Sequence, residues 1–184
     1  MSAKWKWAMG LATFAFAPEA SAGMFELSFS VAFNRSNYTE VNYSWSRRYG
    51  VGLGYYFSEL SQIEFAFQDV VARTYVERYE DTTFHDNIYS ISIVQSLMPR
   101  SAPVQPYVKA GAGQVYRTIT GSYSGVEIPR TQVASLTGIL GAGIKVKVTD
   151  RVGLKTEATS YLVGGALGTW KDNYAISGGL SFYF

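Results

Sequence analysis

The chain has 184 residues, with 16 basic and 14 acidic side chains, one histidine and no cysteine. The lack of thiols excludes disulfides, thiolate metal sites and a cysteine nucleophile, and so even a charge balance gives no footing for nucleic-acid binding. No later stretch is long and apolar enough for a transmembrane helix.

At the N-terminus, Lys4 and Lys6 precede an apolar run over 8–17. Pro18 and Glu19 break that run, and Ala20-Ser21-Ala22 makes a small-x-small site before Gly23. This is the layout of a secretory signal peptide cleaved near Ala22. As a helix the run would rise only about 15 Å, half of a hydrocarbon core of about 30 Å. The expected organisation is a signal peptide over 1–22 and a single barrel unit over 23–184. Losing Lys4, Lys6 and Glu19 takes 16 basic and 14 acidic groups to 14 and 13, a net charge of +1.

From Phe25 the apolar residues recur with period two, the mark of strands. Phe25, Leu27, Phe29, Val31 and Phe33 share one face of the first; Glu26, Ser28, Ser30 and Ala32 share the other. Residues 34–37 read as a turn. The second strand keeps Val41, Tyr43, Trp45, Tyr49, Val51, Leu53, Tyr55 and Phe57 in phase, opposite Arg48, Gly50, Gly52 and Gly54. After a turn over 58–62, Ile63, Phe65 and Phe67 begin the third. A polar loop is expected over 79–86. The fourth strand sets Tyr89, Ile91, Ile93 and Leu97 against Ser90, Ser92 and Ser96, and Pro99, Pro103 and Pro106 mark the next turn.

Val108, Ala110 and Ala112 lie opposite Lys109, Gly111 and Gly113 in the fifth strand, followed by an expected loop over 120–130. The sixth places Leu136, Leu140, Ala142, Ile144, Val146 and Val148 against Thr137, Gly141, Gly143, Lys145 and Lys147. A tight turn over 149–151 leads to the seventh, with Val152, Leu154, Ala158 and Leu162 against Lys155, Glu157, Thr159 and Tyr161. A loop over 164–172 precedes the eighth. There Tyr174, Ile176, Leu180, Phe182 and Phe184 share the apolar face, opposite Ser177, Gly179, Ser181 and Tyr183.

Eight strands with one bulky apolar face and one face of Gly, Ser and isolated charges predict an all-β, eight-stranded, antiparallel up-and-down transmembrane barrel. The rival is a soluble barrel or sandwich, but the small-residue face is a poor soluble surface and a good filling for a narrow lumen. Turns after the second, fourth and sixth strands read as short, and three of the four others as longer, as for periplasmic turns and outer loops. Trp45 and Phe57 lie about 40 Å apart along a strand, or about 30 Å vertically once tilted, which sets an aromatic at each edge of the band. Asp69 and Arg73, and again Gln114, fall on the lipid phase. Either a β-bulge resets the phase there or these residues lie beyond the apolar band.

The inward set Glu26, Glu64, Lys109, Lys145, Lys147, Lys155 and Glu157, with Arg48 toward the outer rim, must pair if buried. It is the candidate lumen charge network, expected to plug and fix the barrel; the alternative is a narrow path favouring anions. The glycine pairs continue the period of two inside strands and lack the turn and helix of a nucleotide loop. His85, expected on an outer loop, has Asp86 beside it and no evident nucleophile, so catalysis is not expected, and it is too isolated to hold a metal.

Three stretches, Gly50-Val-Gly-Leu-Gly-Tyr-Tyr-Phe57 with its continuation to Phe67, Gln105-Pro-Tyr-Val-Lys-Ala-Gly-Ala-Gly113, and 178–184, resemble the small eight-stranded outer-membrane proteins of the A, X and W group. The resemblance implies a Gram-negative outer-membrane location in contact with lipid and lipopolysaccharide. It also implies insertion by the barrel assembly machinery, which would read the terminal strand Tyr174, Ile176, Leu180, Phe182 and Phe184. A monomer without cofactor, and without the peptidoglycan-binding domain found in protein A, is expected. The expected role is structural or surface-interacting. A small passive channel for hydrophobic or anionic solutes is the alternative, and a lipid acyl hydrolase or transferase a minor one.

Overall fold

A computed structural model describes residues 25–37, 39, 41–163 and 174–184. The expected signal peptide and the loop over 164–172 lie outside the described residues. Eight strands form one closed antiparallel barrel in chain order: β1 (Phe25–Asn37), β2 (Tyr43–Tyr56), β3 (Ser61–Val76), β4 (Glu80–Ser96), β5 (Val104–Tyr123), β6 (Val126–Lys147), β7 (Val152–Val163) and β8 (Tyr174–Tyr183). The period of two becomes an inside and an outside. Lys145 is 1% exposed, whereas Leu136 on the same strand is 74% exposed. A wall with its charges inside and its aliphatic side chains outside is stable only against hydrocarbon.

The register fixes the geometry. Passing from Phe25 across paired residues leads through Tyr55, Ile63, Ile93, Ala110, Leu140 and Ser160 to Tyr174. Carried one step further along the β8–β1 register, the path re-enters β1 at Arg35, ten residues above its start. Eight strands with a shear of ten tilt by about 40° and leave an interior that side chains fill.

The expected turn over 34–37 belongs to β1, which stays paired with β2 as far as Asn37–Tyr43. Two expected outer loops are also strand. Of 79–86 only Tyr79 lies in the tight turn over 77–79, and of 120–130 only Ser124 and Gly125 turn the chain. Both have positive φ, 50° and 80°, the two-residue hairpin geometry that a Ser-Gly pair supports. Polar composition on the outward face read as loop, yet cross-strand pairing continued through it. Among the described residues, the length outside the membrane at these two places is therefore in the β3–β4 and β5–β6 hairpins rather than in loops. Pro106 likewise lies within β5.

The doubtful phase is settled by continuous registers of β3 with β2 and β4, and of β4 with β5. Asp69, Arg73 and Gln114 do face outward. A register shift occurs only higher up, between Ile119 and Gly121, where Ile119 faces Thr131 and Gly121 faces Ile128. Two β6 residues, Pro129 and Arg130, then stand against Thr120, a bulge that also absorbs a proline within a strand. Around Asp69 the outward face carries the tilted pair Phe67–Tyr89 at 5.1 Å and the edge-on pair Tyr89–Tyr116 at 6.0 Å. At the other rim Phe25 meets Tyr55 at 5.3 Å. These are the two aromatic girdles.

Folded protein in detergent is expected to migrate differently on gels before and after boiling; a single unshifted band would contradict the barrel. At Gly179 a Cβ would lie 1.9 Å from the Phe29 carbonyl oxygen, where β8 closes on β1. Gly179→Val is expected to abolish the folded band, and an unchanged band would contradict this closure.

Candidate functional site

Inward-facing residues build two ion clusters in the lumen. Toward the end where β1 begins, Glu26 accepts hydrogen bonds from Lys145 Nζ at 2.5 Å, Tyr56 Oη at 2.5 Å, Gln62 Nε2 at 3.2 Å and Ser181 Oγ at 2.7 Å. Lys145 also donates to Gln62 Oε1 and Tyr56 Oη, both at 3.1 Å. Above it lies a closed ring of alternating charge. Lys109 Nζ is 2.9 Å from both Glu64 and Glu157, and Lys155 Nζ is 2.9 Å from Glu64 and 3.2 Å from Glu157. Tyr107 Oη donates to Glu157 at 2.7 Å, and Thr159 Oγ1 donates to the other oxygen of that carboxylate.

All six charged side chains are at most 7% exposed, and three carboxylates cancel three ammonium groups. Burying each ion costs several kcal/mol, which only such complete pairing offsets. The cluster therefore specifies the closed barrel more than it adds net stability.

Further out, Arg48 donates to Gln68 Oε1 at 2.9 Å and stacks 4.4 Å above the Tyr161 ring, while Tyr161 Oη donates to the same Gln68 oxygen at 2.6 Å. Tyr161 also joins Val70, Ile88, Val115 and Ile139 in a buried apolar layer. Between this lid and the ion ring remains a cavity of about 30 Å³, room for little more than a water. At the opposite end, Arg100 lies 4.5 Å over the Tyr56 ring. Gln105, itself 1% exposed, donates to the Arg100 and Ala102 carbonyls at 2.8 and 3.0 Å.

The structure thus brings Glu26, Glu64, Lys109, Lys145, Lys155 and Glu157 together, and leaves two expected members apart. Lys147 is half-buried near the end of β6 and makes no ion pair among the described residues. Arg48 takes an amide and a ring in place of a carboxylate. The partners Tyr56, Gln62, Tyr107 and Ser181 were not anticipated as such, nor was the apolar layer. Their inward parity was readable, since Tyr56 continues the phase of Gly54 and Tyr107 that of Lys109. In the terminal strand, Tyr174 and Ile176 are exposed at the outer end, and Phe184 N donates to the Phe25 carbonyl at 3.0 Å.

His85 lies in β4, not in a loop. Its ring Nε2 is 2.5 Å from Asp69 Oδ2 of β3, while neighbouring Asp86 turns inward to a two-pronged pair with Arg117 at 2.8 and 2.7 Å. The acid beside His85 thus comes from across the sheet. Above it Arg73 grips Asp81 through two bonds of 2.8 Å, and these hold the Asp81 carboxyl below its ordinary value.

A closed eight-stranded wall with lipid-facing aliphatics, two aromatic girdles and a charge-filled lumen defines an integral outer-membrane type of β-barrel. A family model described as an outer membrane protein beta-barrel domain matches residues 8–184, and the chain belongs to that family. No curated protein matches it in sequence. Among solved structures it is similar to the N-terminal β-barrel domain of Pseudomonas aeruginosa OprF, with 15% identity and a TM-score of 0.61, over 89% of this chain and 100% of that one. Neisserial surface protein A shows 17% identity and a TM-score of 0.53, over 89% and 99% of the two chains. Ail, the attachment invasion locus protein of Yersinia pestis, shows 12% and 0.52, over 89% and 98%. At such identities the likeness carries the fold alone.

Lys109→Met leaves Glu64 and Glu157 each short of a cation and is expected to cost about 3–5 kcal/mol, read from reversible denaturant unfolding in micelles. Asp81→Asn breaks an exposed pair and is expected to change stability by less than ~1 kcal/mol. Asp81 binds its proton less readily when folded, so its small contribution is present above the ordinary carboxylate pKa and is lost as pH falls through the lowered value. Equal losses for the two variants would contradict this ranking.

Proposed function

We propose that this protein is a non-enzymatic barrel of the Gram-negative outer membrane, acting structurally or through its surface, with its lumen closed. The observation that carries the reading is the ring of Lys109, Glu64, Lys155 and Glu157, which spans the lumen and pairs every one of its own charges. An anion path is lined by cationic side chains free to meet the solute, and at the ring that charge is consumed by pairing. Asp69 is the side-chain partner of His85 among the described residues, and among them no hydroxyl is hydrogen-bonded to His85 to complete an acyl-transfer set.

The β3–β4 and β5–β6 hairpins rise beyond the girdle and present Asp69, Arg73, Asp81 and His85 outward. They form the surface on which we place contact with lipopolysaccharide head groups or an external partner. Insertion by the barrel assembly machinery, with the β8 residues ending at Phe184 as its signal, and a monomeric state complete the reading.

Pure protein in a planar bilayer is expected to give no steady conductance steps. Lys145→Ala, which strips Glu26 of its cation, is expected to produce openings or loss of folding, and Lys147→Ala to behave as wild type. Reproducible steps from the unmodified protein would overturn the closed lumen.

A further inference from the structure

We propose that the outer end of the seam between β1 and β8 is a binding site for an amphipathic anion: an ionised carboxylate head on Arg48 with a single hydrocarbon chain leaving through the wall. β1 and β8 pair only from Glu26–Tyr183 to Val31–Gly178. Beyond that point β1 stays paired with β2 to Asn37, and β8 stays paired with β7 to Tyr174. Each strand therefore keeps its other neighbour while parting from the one across the seam.

A cavity of about 260 Å³ occupies the resulting wedge. Residues of opposite orientation border it, among them Ala32, Ser46 and Arg48 of the lumen face and Phe33, Tyr174 and Ile176 of the lipid face. Successive residues of a strand point to opposite sides of the sheet. A space bordered by both sets, at the height where the β1–β8 pairing has ended, is an opening in the wall.

Among the described residues the charge at this opening is unbalanced. The three carboxylates and three ammonium groups deeper in the lumen cancel, and Arg117 is met by Asp86. Arg48 has no carboxylate partner among the described residues. It spends one N–H on Gln68 and lies 4.4 Å over the Tyr161 ring. A guanidinium carries five N–H donors in a fixed fork, so donors remain for a bidentate oxyanion. The outer border is apolar: Phe33 and Ile176 are 71% and 69% exposed, lying where acyl chains meet them.

The volume falls below the roughly 300–1,000 Å³ of pockets that enclose a whole drug-sized ligand. It suits a head and the first part of one chain, with the remainder in the bilayer. The lid of Gln68 and Tyr161, with only the water-sized cavity beneath, stops the head there. The site binds and does not conduct, so it stands or falls apart from the reading of the lumen.

The test is equilibrium binding of radiolabelled decanoate to the protein refolded into phosphatidylcholine vesicles at pH 8, against protein-free vesicles, with folding of each variant checked by gel mobility. Saturable binding of one decanoate per barrel is expected. Acetate, which lacks the chain, and decanol, which lacks the charge, should each displace it at least tenfold less well. Arg48→Gln should weaken binding at least tenfold, with Arg48→Lys intermediate. Ile176→Trp, on the lipid side and outside the packed lumen, should weaken it by narrowing the exit, and decides the matter if the Arg48 variants do not fold. No saturable excess over the vesicles, wild-type affinity in folded Arg48→Gln or Ile176→Trp, or equal displacement by acetate or decanol would overturn the proposal.

Discussion

The tightness of the lumen governs this molecule. Eight strands sheared by ten residues enclose a space that side chains alone nearly fill, and the outer wall faces hydrocarbon. Polar residues are driven to the inside, where they meet no bulk water. Every charge placed there then needs a partner, because an ion left alone costs several kcal/mol. The Glu26–Lys145 cluster and the four-membered ring above it are the consequence. They tie β1, β3, β5, β6 and β7 across the interior, through contacts the backbone ladder does not make.

That constraint explains the distribution of small residues. Gly52 faces Ser28 and Glu64, and a Cβ there would lie 2.6 Å from the Ser28 hydroxyl and 3.5 Å from the Glu64 carboxyl carbon. Gly143 lies beneath the Tyr107 ring, whose hydroxyl reaches Glu157. The small inward residues are the space that long inward residues of neighbouring strands occupy. Outside, the demand is only for apolar bulk, and the wall is correspondingly permissive.

The barrel is not equally closed at all heights. Ion pairs and ladder bonds fill its lower half, an apolar layer and Arg117–Asp86 its upper half, and the β1–β8 pairing stops at Val31–Gly178. The hairpins β3–β4 and β5–β6 continue as sheet past the membrane. Their outward pairs, Arg73–Asp81 and His85–Asp69, are exposed and contribute little to stability. The buried pairs and the exposed pairs thus lie in different layers of one wall.

Period-two alternation was legible from Phe25 to Phe184, and it assigns the inward or outward side of nearly every residue, because side-chain direction along a strand is a local property. The count of strands, the barrel class and the inward charges follow from it. The pairing partners do not. Lys145 meets Glu26 from 119 residues away, and which carboxylate receives which ammonium depends on register and shear, which only the closed sheet decides. The same holds for residues 79–86 and 120–130, whose polarity suggested loops until cross-strand pairing made them strand. It holds for Asp69, whose place beside His85 exists only once β3 and β4 are aligned. Which side a residue faces was written in the chain; what it meets there depended on how far neighbouring strands slid past one another before the barrel closed.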